Sequence, residues 1–160
     1  MLIQEVLDDI QRHNLVPDMI TWGVLALGCQ TLDDAKVLLD GLDATGHTLN
    51  PVIAGSLLGN ACCTNKIAYI LEILRIMSIH RIRPSKHIYT LLDKYKLKVE
   101  DTLKYEQSAK LYGNEQFQQK FEVFKNRYEK FQQKFDREEK HEQIRKRKSL
   151  PLITVSSVNL

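Results

Sequence analysis

Apolar residues in the first half of the chain come in helix-length runs separated by short polar breaks. After Asp18 the run Ile20, Trp22, Val24, Leu25, Leu27 and Cys29 fills one such length. Ala35, Val37, Leu38, Leu39 and Leu42 then recur at mixed three- and four-residue spacings. The second pattern is that of a helix with one broad buried face. Asp33 and Asp34 fall in its first turn, where negative charge suits the helix dipole, and Gly46 stands past its end, where glycine commonly closes a helix. Residues 19–50 are therefore expected to form a helix–turn–helix. Residues 51–85 repeat the design. Asn50 and Pro51 make an N-cap and first helical position, a first helix runs to about Cys63, and a second carries Ile67, Ile70, Leu71, Ile73, Leu74 and Met77.

The breaks resemble one another. His13-Asn-Leu-Val-Pro17-Asp18, Gly46-His-Thr-Leu49-Asn50 and His80-Arg-Ile-Arg-Pro84-Ser85 each end a helix and place Pro or Leu before a short polar residue. The polar residues, Asp18, Asn50 and Ser85, lie 32 and 35 residues apart. Self-similarity at such a period points to a stacked array of supersecondary units. Residues 1–18 read as the second helix of a unit whose first helix is missing, so the chain is expected to be a piece of a longer array. His13 and His80 occupy equivalent slots near helix C-termini, as surface or capping residues.

Beyond Ser85 the pattern changes. Ile88, Leu91, Leu92 and Tyr95 start another first helix, but Leu103, Tyr105, Ala109, Leu111 and Tyr112 make no clean stripe, and Gly113-Asn114 signals a stop. Residues 86–113 are read as a degenerate capping unit with a poor second helix from Asp101 to Tyr112. Residues 114–148 read as one long charged helix. Phe117, Phe121, Phe124, Tyr128, Phe131 and Phe135 alternate four and three residues apart, and Glu138 and Glu142 then take over the seam. An all-aromatic seam suits docking on the end of the stack, a partner-binding helix, or base stacking. Residues 149–160 carry neither charge nor period and are expected to be disordered. Val158-Asn-Leu160 would be a chance match to a terminal sheet-edge ligand.

Composition adds three constraints. No run of 18 apolar residues occurs, so no membrane span is expected. Cys29, Cys62 and Cys63 form neither a disulfide framework nor a zinc spacing, and are expected to be reduced thiols. The net charge of +3 hides an asymmetry: nine acidic residues face six basic ones up to Ser85, whereas seventeen Lys and Arg face eleven acids afterwards. A basic extension beside a repeat array suits a polyanion. There is no Gly-rich phosphate loop, no paired His on one helical face and no nucleophile beside a base. The expectation is a protein that is not an enzyme and needs no cofactor or metal.

The pieces Leu7-Asp-Asp-Ile10, Leu15-Val-Pro17-Asp18 and Ile20-Thr-Trp22, with Leu38-Leu39-x-x-Leu42 matching Ile73-Leu74-x-x-Met77, resemble the pentatricopeptide repeat. The likeness covers Met1 to about Leu97, continues faintly through Tyr105–Phe135, and is strongest to the C-terminal repeats of a metazoan mitochondrial member. It implies an all-α fold, an α-solenoid of stacked helix–turn–helix units followed by the long C-terminal helix. It also implies single-stranded RNA as ligand, read one base per repeat. Ile20, Val52 and His87, second in their units, would sandwich bases. Gly23 with Asn50, and Gly55 with Ser85, would read them, and Thr90 is the fifth residue of the third unit. Gly23 and Gly55 have no side chain with which to read a base, so low specificity is expected. Arg145, Lys146, Arg147 and Lys148 are the candidate phosphate contacts. The family further implies a mitochondrial matrix protein acting on leucine transfer RNAs, their precursors and ribosomal RNA, together with RNA-processing proteins. The alternative is a helical scaffold that holds another protein without touching RNA.

Overall fold

The computed structural model describes residues 3–105 and 114–149, and these form seven helices and no strand. They are α1 (Ile3–Arg12), α2 (Met19–Gly28), α3 (Leu32–Ala44), α4 (Pro51–Cys63), α5 (Ile67–Ile79), α6 (Lys86–Tyr105) and α7 (Glu115–Ser149). Three-residue turns join α2 to α3 and α4 to α5, so each pair packs as a hairpin. Across the pairs, α2 packs on α4 and α4 on α6, which makes one row. On the other side α1 packs on α3 and α5 on α7. The architecture is all-α and repeat-like.

Local chemistry explains where the helices begin. Asp18 Oδ1 accepts from the Thr21 backbone N–H at 2.8 Å, Asn50 Oδ1 from Ile53 at 2.8 Å, and Ser85 Oγ from Ile88 at 3.3 Å. The polar residue of each break is thus an N-cap of α2, α4 or α6, satisfying an amide that the helix leaves unpaired. Thr31 caps α3 in a reciprocal box with Asp34. Where the helices end, the backbone turns left-handed. Asn14, Gly46 and Arg81 have φ of 51°, 74° and 53°. The following N–H reaches back five residues each time: Leu15 to Ile10, His47 to Leu42 and Ile82 to Met77. This motif closes α1, α3 and α5 with the same 32- and 35-residue spacings as the caps. His13 is exposed with Nδ1 2.8 Å from the Asp9 carbonyl oxygen, and His80 is the exposed C-cap of α5.

One core runs through the stack. Trp22, Leu38, Ile53, Leu57, Tyr69, Ile73, Met77, Ile88 and Leu92 are buried within it. Adjacent units are also stitched by polar contacts. Asn60 of α4 donates through Nδ2 to the carbonyls of Ala26, Leu27 and Cys29 at 2.9, 3.2 and 3.0 Å, and the Tyr69 hydroxyl donates to Cys29 O at 3.0 Å. These carbonyls lie at the C-terminal end of α2, where the helix runs out of backbone N–H groups to donate to them; of the three, Ala26 O still receives the Cys29 N–H at 3.2 Å. Side chains of the next unit supply further donors there.

The third unit departs from the sequence expectation. Asp101–Tyr105 do not open a second helix but continue α6. No Gly or Pro interrupts Lys86–Tyr105, and buried Ile88, Leu92, Tyr95 and Val99, with half-buried Leu103, form one continuous face. The place beside α5 is taken by α7. Its Phe121, Phe124, Tyr128, Phe131 and Phe135 are buried, and Phe117 packs against the cluster. Tyr95 of α6 meets Phe124 edge-on at 5.4 Å, and the Tyr128 hydroxyl donates to Asp93 at 2.7 Å. Burial and the nearby Asp93 carboxylate push the Tyr128 phenol upward from its ordinary pKa. Where the seam turns polar, Glu142 pairs with Arg83 at 2.7 Å, fastening the far end of α7 beside the loop that leads into α6. The expected stop at Gly113, the remainder of the presumed second helix and the tail beyond Ser149, Val158-Asn-Leu160 included, lie outside the described residues.

Candidate nucleic-acid interface

The row α2, α4, α6 presents equivalent positions along one side. Ile20, Val52 and His87 each stand one residue past the first residue of their helix, and all three are exposed, Ile20 at 77% and Val52 at 73%. Val24 and Leu27 lie one and two turns on from Ile20 and are also exposed, as is Val16 just before α2. This is an unusual amount of open aliphatic surface for a helix that otherwise buries Trp22 and Ala26. The strip suits stacking against flat apolar faces, those of bases included.

The slots for base readout behave differently from one another. A Cβ built on Gly23 would meet nothing within 4 Å, so this slot is open space beside Ile20. Gly55 is buried, and a Cβ there would touch His87 and Ile88 at 3.7 Å. A methyl there would make ordinary contact with α6, so this slot lacks the open space found beside Gly23. Thr90 is exposed, with its hydroxyl donating to the Lys86 carbonyl at 3.0 Å. Asn50 and Ser85 spend an oxygen on capping, which leaves Asn50 with its Nδ2 donors and Ser85 with its hydroxyl proton. Asp18 holds the same slot ahead of α2. Both its contacts to Thr21 lower its pKa, the backbone N–H first and the hydroxyl second, so it remains anionic. Sequence reasoning missed Asp18 as a member of this set, although its 32-residue offset from Asn50 is the same signal that found the others.

Arg145, Lys146, Arg147 and Lys148 form the exposed last turns of α7. Lys146 reaches back to Glu142 at 2.9 Å, so one of the four is already in an ion pair. Cations at a helix C-terminus also favour the dipole. Through the Arg83–Glu142 bridge the cluster stands near the N-terminus of α6, at the end of the molecule that carries Ser85 and His87. Arg83 first and Lys146 second hold the Glu142 carboxyl down to about 2.

Among the described residues no group of His, Cys, Asp or Glu is arranged to hold a metal ion, and no helix is long and apolar enough to cross a membrane. Burial pushes the thiols of Cys29 and Cys62 up to about 12, which disarms both as nucleophiles. An open groove of about 440 Å³ between α3 and α5 is lined in part by Asp40, Asp43, His47 and His80. No family model matches the chain, and no curated protein matches it.

Proposed function

We propose that the chain is part of a pentatricopeptide-type α-solenoid that binds single-stranded RNA across the side formed by α2, α4 and α6. The observation that carries this reading is the recurrence, on three successive helices, of an exposed residue beside a capped N-terminus: Ile20 after Asp18, Val52 after Asn50, His87 after Ser85. A row of equivalent side chains is what a polymer with a repeating unit requires of its receptor. Recognition would be shallow. Of the two glycine-containing slots only Asn50 and Ser85 keep readable atoms, so stacking falls to Ile20, Val52 and His87 and salt-sensitive adhesion to Arg145, Arg147 and Lys148. In keeping with the family resemblance, the proposed setting is the mitochondrial matrix, with transfer RNA precursors, leucine transfer RNAs among them, and ribosomal RNA as targets.

One observation favours a second reading, a scaffold that holds an RNA-processing protein. Gly55 is buried against α6, while Ile20, Val24 and Leu27, on one face of α2, form an aliphatic strip of the kind proteins dock on. The two readings separate in one titration. Val52→Asp and His87→Asp alter exposed positions and leave the core intact. RNA binding through this side predicts at least a tenfold loss of affinity for an unstructured uridine oligomer of about 16 residues. Unchanged affinity in both folded variants would remove this side from RNA binding.

A further inference from the structure

A second surface lies across the stack, on α7. One heptad position over from the aromatic seam, Lys120, Arg127, Lys130 and Lys134 follow one another along a single flank of the helix. The opposite flank carries Glu122, Glu129 and Asp136 at seven-residue intervals. The charges of this helix are thus partly sorted lengthwise: the acidic flank also carries Lys125, paired with Glu122 at 2.6 Å, and Lys140, whereas the stretch from Lys120 to Lys134 on the basic flank carries no carboxylate. The basic flank borders α5. Together they enclose two grooves of about 280 and 290 Å³ that meet at Leu71. No carboxylate lines either groove. Leu71, Leu74 and Phe131 contribute apolar floor, and Gln116 and Gln119 stand at the rim. Arg75, at the groove edge, is already held bidentately by Glu72 at 2.8 and 2.7 Å. Lys134 Nζ donates to the Ser78 carbonyl at the end of α5. None of Lys120, Arg127 and Lys130 has a carboxylate within ion-pair distance among the described residues.

We infer that the α5–α7 groove is a track for the phosphate backbone of RNA, gripped by Lys120, Arg127 and Lys130 with Lys134 at its end. Spacing argues for a polymer of phosphates. Arg127, Lys130 and Lys134 rise along the helix by about 4.5 and 6 Å per step, and the row from Lys120 spans about 21 Å. A stacked strand offers a phosphate about every 3.4 Å and an extended one fewer, so several cations can each meet their own phosphate. A membrane surface is a poor fit. Val123 is the one large apolar side chain exposed on this flank between Lys120 and Lys134, and the aromatics that could enter lipid are buried in the seam. The inference takes from the proposed function only the choice of RNA as the polymer. The surface itself is separate from Ile20, Val52 and His87, and it adds affinity without base preference.

The test uses the full chain and a fluorescent uridine oligomer, with affinity read by anisotropy between about 50 and 300 mM salt. The triple variant Lys120→Gln, Arg127→Gln, Lys130→Gln is compared with a charge-matched control, Lys104→Gln, Lys125→Gln, Lys140→Gln, and with Val52→Asp. The track predicts that the first triple flattens the slope of log affinity against log salt by about 2, at about 0.7 per lost phosphate contact. The control triple should retain most of the wild-type slope. Equal slopes in the two triples, with both folded by circular dichroism, would overturn the track. Displacement of the oligomer by polyglutamate at equal charge concentration would overturn the choice of nucleic acid. Loss in the Lys120 triple with Val52→Asp unaffected supports the track and removes the opposite side. Loss in Val52→Asp alone does the reverse.

Discussion

Asn50 carries two roles that one substitution can confuse. Its Oδ1 accepts the Ile53 amide at 2.8 Å in a half-buried setting, while its Nδ2 makes no hydrogen bond among the described residues. The cap opens α4, the central helix, which packs on α2, α5 and α6. Asn50→Ala removes both the acceptor and the donor. Loss of an N-cap costs about 1 kcal/mol, within a range of roughly 0.5–2. Asn50→Asp keeps the acceptor, suits the helix dipole, and should leave stability within about 0.5 kcal/mol of the parent. It nonetheless removes the Nδ2 donor and sets a negative charge where RNA is proposed to lie, so affinity should fall roughly tenfold, about the net worth of one hydrogen bond. Urea midpoints by far-UV circular dichroism give the first quantity, and anisotropy with a uridine oligomer the second. A fully stable Asn50→Ala would refute the capping role. An Asn50→Asp protein that binds RNA as the parent does would refute contact between Asn50 and RNA. The alanine variant alone would merge a folding defect with a binding defect.

Three further outcomes follow from the packing. Asn60→Ala leaves the Ala26, Leu27 and Cys29 carbonyls without that donor and should destabilise by about 1–3 kcal/mol in urea; Tyr69→Phe should cost less alone and be non-additive with it, since both donate to Cys29. Gly41→Ala puts a methyl 2.9 Å from the Trp22 ring and should lower stability by about 1–3 kcal/mol, whereas Gly23→Ala meets open space and should raise it by up to about 1 kcal/mol. Glu142 titrates near 2 when folded, below its ordinary 4.5, so the Arg83 bridge contributes fully above about 4.5 and is lost as pH falls toward 2. Glu142→Gln should therefore narrow the acid-side loss of stability in that window. The effect should be small and erased by high salt because Arg83 is exposed and Glu142 only partly buried.

The helix pairs were legible because most of their boundaries are written in local chemistry. Asn50-Pro51 announces α4, Gly46 ends α3, and the mixed three- and four-residue spacing of Leu38, Leu39 and Leu42 marks a buried face. The length of α6 was not legible from stripes alone, since Leu103 continues the face of Val99 only when the helix is known to be unbroken. That α7 lies beside α5 is a long-range outcome of where five aromatic side chains can be buried, and sequence spacing cannot distinguish docking from a free seam. Periodicity did expose the aromatic row of α7. The same heptad, read one position away, holds Lys120, Arg127 and Lys134, a signal available in the sequence and overlooked beside the stronger aromatic one. At the candidate interface, the polar residue of each break could be located by spacing, but its commitment to capping required atoms.

The most direct test of the proposed row is methyl NMR of the labelled chain during titration with a uridine oligomer. Ile20 on α2 and Val52 on α4 are exposed, and Ile73 on α5 is fully buried. Binding along α2, α4 and α6 predicts that the Ile20 and Val52 methyl signals shift together and saturate at the same RNA ratio while Ile73 stays in place. Saturable RNA binding that leaves both Ile20 and Val52 unmoved would contradict it.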